Sequence, residues 1–155
     1  MTARATRNLL VFLLDFLSLG ALGGGGALAA SPGGQLLGMP LSLLAGSPFR
    51  DFLVPGLVLF FMLGVGPSLL AVALVRKPAS RLAERLNCFA DMHWAWTGSI
   101  CVAFVLVGWL QLEMIFIRAA TWLHAFYMGL ALAILFVALL PKCRRLYQKP
   151  RGISA

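Results

Sequence analysis

Four apolar segments, each long enough to span a lipid bilayer, dominate the sequence. Crossing ~30 Å of hydrocarbon takes about 20 helical residues, and segments of this length occupy residues 8–30, 52–75, 93–112 and 122–140. Only 12% of the residues are charged, whereas soluble domains carry roughly 25%. We therefore expect a single membrane domain over residues 1–155, with an all-α fold in which four transmembrane helices form an antiparallel four-helix bundle.

Basic residues are concentrated at one end of this predicted bundle. Of the 13 Lys and Arg residues, all but Arg50 and Arg118 lie before the first segment, between the second and third, or after the fourth. Because Lys and Arg near span ends favour the cytoplasmic side, we expect both termini in the cytoplasm and the chain in a bacterial inner membrane. This orientation also explains most of the net charge of +8. The expected partner is thus the lipid bilayer, and no nucleic acid is expected.

The first segment has a second interpretation, as a cleaved secretion signal. Arg4 and Arg7 precede the apolar run, and Ala27-Leu28-Ala29 resembles a cleavage site. The run is longer than the core of a typical signal and contains Asp15, which favours a retained span. The cysteines (Cys88, Cys101 and Cys143) form no CxxC pair, so neither a disulfide framework nor a redox pair is predicted.

The connection between the first two segments is apolar, unlike a solvated loop. Residues 31–51 read SPGGQLLGMPLSLLAGSPFRD, in which Pro40 can begin a short helix and Gly46 can end it. Irregular backbone exposed to hydrocarbon would leave its amides without partners. We therefore expect an ordered apolar loop in the outer interface or folded back over the bundle.

Asp15 is an ionisable residue about seven residues inside the first segment. An ionised carboxylate facing lipid tails would cost several kcal/mol, so we expect Asp15 and Ser18, which follows it by one turn, to face neighbouring helices.

Glycines predict close contacts between the helices. Four of them, at positions 23–26, follow Asp15 in the first segment, and small residues let membrane helices approach closely. The candidates for helix packing are Gly20, Gly24, Gly56, Gly64 and Gly108. The run could alternatively form a hinge or an unwound turn that lines a cavity.

Polar residues in the third and fourth segments suggest two sites. An inner site would hold Asp15 with His93 or Thr97, and an outer site would gather Glu113, Arg118 and His124 with Arg50 and Asp51. The candidate cavity residues are Asp15, Ser18, His93, Thr97, Gln111, Glu113, Arg118, His124 and Tyr127. Structural roles are the alternatives: an ion-paired rim for the outer group and a hydrogen bond between helices for Asp15. No metal site is predicted, and a haem or pigment on His93 or His124 is left open.

The sequence resembles a group of small bacterial four-span membrane proteins. The resembling stretches are GMPLSLLAGSPFRDFLVPG (38–56), GVGPSLL (64–70), WLQLEMI (109–115) and WLHAFYMGLAL (122–132). The resemblance implies the four-span topology and carries no activity with it.

Two kinds of function fit this sequence. The first is a non-catalytic membrane protein that packs with itself, as a homo-oligomer, or with a larger membrane complex through glycine-rich helix faces. The second is an enzyme or carrier for a lipid or a small apolar ligand, with an intramembrane cavity lined by acidic and histidine residues. No HExxH, GxSxG or P-loop motif occurs, so the sequence leaves open whether the protein is an enzyme.

Overall fold

The computed structural model describes residues 2–118 and 120–150, and these residues form six helices. In chain order they are α1 (Ala3–Ala30), α2 (Leu53–Arg76), α3 (Arg81–Arg85), α4 (Trp94–Ile117), α5 (Trp122–Leu139) and α6 (Pro141–Tyr147). Within the described ranges the only β-type pairing is an isolated bridge between Met92 and Gln148. The predicted all-α fold is confirmed.

The four long helices match the four predicted spans. By length and composition, α1, α2, α4 and α5 are each able to cross a membrane. The largest differences from the predicted boundaries are that α1 begins at Ala3 instead of residue 8, and that α4 continues to Ile117 instead of ending at residue 112. The outer surface is apolar, with Leu19 71% exposed and Phe136 68% exposed. Such a surface suits lipid tails and not water.

The four long helices form one bundle. α1 packs against α2 and α5, and α4 packs against the same two helices. Leu10, Leu14, Leu74, Leu106 and Ile134 are buried between them. We refer to the end of the bundle near Arg4 and Arg76 as the basic end, and to the opposite end as the loop end.

Glycines allow α1 and α2 to cross with their backbones in contact. A β-carbon at Gly25 would stand 2.7 Å from the carbonyl oxygen of Gly56, and one at Gly56 would stand 2.7 Å from the β-carbon of Leu28. Further along, a β-carbon at Gly64 would stand 2.8 Å from a methyl carbon of Leu22. Much of the glycine-rich surface of α1 is therefore used inside the chain.

The middle of α2 is wider than an α-helix. Residues Leu59–Val65 form a π-helix, in which the amide of Gly66 donates to the carbonyl of Phe61, five residues earlier. Pro67 follows and lacks the N–H that an α-helix needs at this position. The widened segment faces the interior at the loop end, where its Leu59 and Leu63 line a cavity.

The loop between α1 and α2 is ordered and folds over the loop end. It contains two 3-10 turns, Gln35–Leu37 and Leu41–Leu44, and the amide of Phe52 donates to the carbonyl of Pro32 at 2.9 Å to close it. Gly34 has φ +78°, and a β-carbon there would clash with the carbonyl of Met39. A small apolar cluster, Leu28, Leu44 and Phe52, attaches the loop to α1. The predicted apolar loop is confirmed.

At the basic end, α6 folds back against α2. The hydroxyl of Tyr147 donates to the carbonyl of Leu74 at 2.8 Å, and the Lys77 ammonium lies 4.8 Å from the centroid of the Tyr147 ring. Burial raises the pKa of Tyr147 above its usual value and raises the pKa of the Cys143 thiol to about 11. An ion pair between Lys149 and Glu84, at 2.6 Å, holds the chain after α6 against α3 and lowers the pKa of Glu84.

Candidate functional site

Asp15 lies on the outer surface of the bundle, so the prediction that it faces neighbouring helices is wrong. Its side chain is exposed on α1 and has no hydrogen bond or ion pair among the described residues. Ser18, expected on the same face, is buried and donates to the carbonyl of Gly64 at 2.8 Å, with the hydroxyl of Ser68 also in contact. Positions three apart on a helix differ by about 60° around its axis, and the buried face of α1 begins between these two residues.

The predicted inner site is therefore not formed. His93 instead caps the start of α4, where its Nδ1 accepts a hydrogen bond from the amide of Ala95 at 3.2 Å, and partial burial lowers its pKa. Thr97 donates to the Oδ1 of Asn87 at 2.6 Å, which ties the start of α4 to the connection after α3. These contacts give His93 and Thr97 structural roles at the basic end.

Part of the predicted outer site is formed. The Nε2 of His124 on α5 lies 3.8 Å from Oε2 of Glu113 on α4, and the His124 side chain is only 12% exposed. The other members do not join them. Arg118 is exposed beyond the end of α4, Asp51 accepts a hydrogen bond from the amide of Leu53, and Arg50 is exposed in the loop.

Gln111, also predicted to line the cavity, is exposed on the outer surface of α4. It lines neither of the cavities described below. It lies on a different face of α4 from Glu113, since residues two apart on a helix differ in direction by about 160°.

Two apolar cavities lie at the loop end, on either side of Glu113. The first, of about 460 Å³, lies between α1, α4 and α5, and the second, of about 480 Å³, lies between α2, α4 and the loop. Both volumes fall in the range of roughly 300–1,000 Å³ that small-molecule sites occupy. They share six lining residues, Leu28, Met39, Leu63, Trp109, Glu113 and Ile117. We call the two cavities together the loop-end chamber.

The loop and α4 build most of this chamber. Trp109, Glu113 and Ile117 follow one another at intervals of four residues, so they form a single stripe on α4. Met39 from the loop faces the same space and covers it. The loop is thus a roof over the chamber and not a solvated connection.

The few polar groups of the chamber converge on Glu113. His124 and Trp109 are the neighbours that interact with its carboxylate. Tyr127 lies one turn beyond His124 and lines the first cavity, with its hydroxyl oxygen 2.5 Å from where a β-carbon on Gly20 would stand. A mostly apolar cavity with a few converging polar groups is the usual form of a binding site for a small ligand.

The candidate packing glycines at the loop end differ in what surrounds them. Gly20 and Gly24 line the first cavity, with the Tyr127 hydroxyl against Gly20 and a Leu59 methyl carbon 3.8 Å from a β-carbon placed on Gly24. Gly108 lines the second cavity, and a β-carbon there would meet nothing within 4 Å. Gly108 is therefore not at a helix contact within the chain.

Sequence reasoning missed Trp109 and Met39 as chamber residues. Neither residue was among the candidate cavity residues. The sequence spacing could have identified Trp109, because it precedes Glu113 and Ile117 by four and eight residues and so lies on the same face of the helix. No comparable signal identifies Met39, whose place depends on how the loop folds.

Among the described residues, no group of three or more His, Cys, Asp and Glu side chains could hold a metal ion. Comparison of this chain with protein-family models, with curated proteins and with solved structures finds no match in any of the three.

Proposed function

We propose that this protein binds a lipid or another long apolar molecule in the loop-end chamber, as a carrier or as an enzyme that acts on it. The observation that carries this proposal is the pair of cavities on either side of Glu113. Their shared residues are apolar except for Trp109 and Glu113, so a ligand could place chains in both cavities and a polar group between them. Moving one methylene group of the ligand from water into the chamber would contribute about 0.8 kcal/mol to the binding free energy. Moving it from lipid into the chamber would contribute much less.

Photolabelling in lipid nanodiscs tests this proposal. Leu106 and Leu110 are only 2% and 3% exposed, yet both line the first cavity. A long-chain alkyl diazirine, activated by light and mapped by mass spectrometry, should label these two residues as well as the lipid-facing surface. Labelling confined to exposed side chains such as Phe104 would contradict the proposal.

Glycine substitutions supply matched controls for this experiment. Gly24→Leu should fill part of the first cavity and reduce labelling of Leu106 several-fold, because Gly24 lines that cavity. Gly23→Leu changes the neighbouring residue, which lines neither cavity and where a β-carbon would meet open space. The second variant should label like the original chain. Equal labelling of both variants would mean that the probe does not enter the chamber.

The same reasoning applies to the second cavity. Gly108→Leu should exclude the probe from it, whereas Gly129→Leu on α5, also in open space and away from both cavities, should not.

We further propose that both termini lie in the cytoplasm and that the membrane is a bacterial inner membrane. The support is the sequence itself, since the basic end carries nearly all of the Lys and Arg residues. The chamber would then open toward the outer leaflet.

Association with a second copy is a second candidate function, favoured by the exposed carboxyl group of Asp15. With Leu19 and Gly23 it forms an exposed stripe on α1, and Gly23 would admit a close neighbour. Two carboxyl groups that share a proton can pair across a two-fold axis. Light scattering of the purified protein should then report a dimer, and Asp15→Leu should make it monomeric. A monomer before substitution would exclude this function.

A further inference from the structure

Two buried side-chain nitrogens beside the loop-end chamber make no hydrogen bond of good geometry among the described residues. They are Nε1 of Trp109 and Nε2 of His124, and the acceptor with which both side chains interact is the carboxylate of Glu113. Buried polar groups are nearly always paired, so each exception calls for an explanation, and a ligand is one of them. Both groups belong to the chamber, and both lie beside the same carboxylate.

The hydrogen bonds of His124 fix which nitrogen carries its proton. Nδ1 accepts from the backbone amide of Thr121 at 3.1 Å, within a capping box at the start of α5. A backbone amide can only donate, so Nδ1 is the acceptor and the proton of the neutral ring is on Nε2. Nε2 is therefore the donor of this ring, and it is buried at the edge of the chamber on the side of Glu113.

Glu113 supplies the opposite kind of group. Its Oε2 lies 3.8 Å from Nε2 of His124, which is beyond hydrogen-bond distance. An atom from another molecule could bridge a gap of this length from one side. The chamber thus presents two N–H donors and one carboxylate acceptor toward the same small volume.

We infer that the ligand carries a hydroxyl group as its only polar group, and that this group binds between Trp109, His124 and Glu113. A hydroxyl oxygen has two lone pairs and one proton. The lone pairs accept from the two N–H groups, and the proton is donated to the carboxylate. The ligand class is a long-chain or polyisoprenoid alcohol, and this inference rests on the proposed function of the chamber.

The charges of the chamber argue against other lipid head groups. Among residues 2–118 and 120–150, no Lys or Arg lines either cavity, so a phosphate or carboxylate head would lack a cation and would face Glu113. An ammonium head would pair with Glu113 but would leave both N–H groups facing a cation. A hydrocarbon without a polar group would leave these three protein groups with only the long contacts that they make with one another.

Competition between the alkyl diazirine and unlabelled ligands with different head groups distinguishes these possibilities. In nanodiscs, hexadecanol should reduce labelling of Leu106 at a concentration about tenfold lower than hexadecane, since each neutral hydrogen bond is worth severalfold in affinity. Hexadecyl methyl ether, which accepts but cannot donate, should fall between them. Hexadecylamine and palmitate should compete no better than hexadecane.

The outcomes separate this inference from the proposed function. If hexadecane competes as well as hexadecanol, the chamber binds apolar chains but the hydroxyl assignment is wrong. The assignment also fails if palmitate or the amine competes best. If Leu106 is not labelled at all, the chamber binds no chain and both proposals fail.

Substitutions at the donors provide an independent check. His124→Phe and Trp109→Phe each remove one N–H and should lower the ratio of hexadecanol to hexadecane affinity by about fivefold. Trp122→Phe is the matched control, because Trp122 is 74% exposed and lines neither cavity. The ratio compares two ligands on one variant, so a general loss of folded protein does not change it. An unchanged ratio in both donor variants would overturn the assignment.

Discussion

Asp15 shows that an ionisable residue in a membrane span need not be part of the interior. Its side chain is exposed on α1 and has no partner among the described residues, while Ser18 is buried and bonded to the carbonyl of Gly64. The carboxyl group is exposed on the folded bundle and would also be exposed on an isolated helix. The fold of a single chain therefore gains nothing from it.

We predict that Asp15→Leu changes the free energy of unfolding by less than about 0.5 kcal/mol. Ser18→Val, in contrast, should lower the free energy of unfolding by about 1 kcal/mol, because it leaves a buried carbonyl with one hydrogen bond fewer. Unfolding by SDS titration in mixed micelles measures both values. A loss at Asp15 as large as the loss at Ser18 would show that the carboxyl group has a partner, either in the folded chain or in the second copy proposed above.

The wrong assignment of Asp15 has a physical cause. In a soluble helix, polar residues mark the outer face, but lipid is as apolar as a protein core, so hydropathy does not separate the two faces of a membrane helix. The sequence therefore predicted the span correctly and its rotation incorrectly. Gln111 was misplaced for the same reason, whereas Glu113 and His124 were correctly expected to lie near each other because both lie at the turn between α4 and α5.

At the scale of the helices, the crossing of α1 and α2 depends on the backbone contact at Gly25. Gly25→Ala would place a β-carbon 2.7 Å from both the carbonyl oxygen of Gly56 and the amide nitrogen of Phe60. Because backbone atoms cannot rotate away as side chains do, we expect a loss of about 1–3 kcal/mol in the free energy of unfolding.

The neighbouring glycine provides the control for this prediction. Gly23→Ala enters open space and should leave stability unchanged or raise it slightly, since Ala favours helix more than Gly does. The same SDS titration compares the two variants. Similar values for both would mean that α1 and α2 do not cross at Gly25.

The hydrogen bond between Tyr147 and Leu74 should control access to Cys143, which lies on the buried face of α6 and is fully buried. Tyr147→Phe leaves the Leu74 carbonyl without this donor and should cost about 1 kcal/mol of α6 docking. In a Cys88→Ser, Cys101→Ser background, maleimide should then modify Cys143 several-fold faster. Burial and the raised pKa, about 11, keep this thiol slow to react in the original chain. An unchanged rate would mean that other contacts hold α6 in place.

The positions of the helices were more predictable than their detailed shape. The start of α5 at Trp122 coincides with the predicted start of the fourth apolar segment, and Thr121 and His124 form a capping box there. The π-helix in α2 was not predicted, although Pro67 indicated a disturbed hydrogen-bond pattern. A kinked α-helix and a π-helix satisfy the same sequence pattern, and in the structure the π-helix lies against Ser18 and Leu22 of α1.

For the whole molecule, the four-span topology follows from sequence but the chamber does not. Segment length and hydropathy are local properties, and they are sufficient for the topology. In the chamber the loop residue Met39 lines the same cavities as Trp109, which is 70 positions away in the sequence. This arrangement depends on how the loop folds back, and no local pattern specifies it.

The orientation of the whole molecule gives the last prediction. Cys88 is exposed at the basic end, and Ser42 is exposed in the loop. Translocating the basic end would carry most of the Lys and Arg residues across the membrane, which the positive-inside preference disfavours. A membrane-impermeant maleimide added to intact cells should therefore modify Ser42→Cys in a Cys88→Ser, Cys101→Ser, Cys143→Ser background.

Cys88, retained as the only cysteine, should react only after the cells are opened. Reaction of Cys88 in intact cells would place the basic end outside. The loop-end chamber would then open to the inner leaflet, and its ligand would have to be a lipid that reaches it from the cytoplasmic side. The same labelling experiment thus decides from which leaflet an alcohol could enter the space beside Glu113.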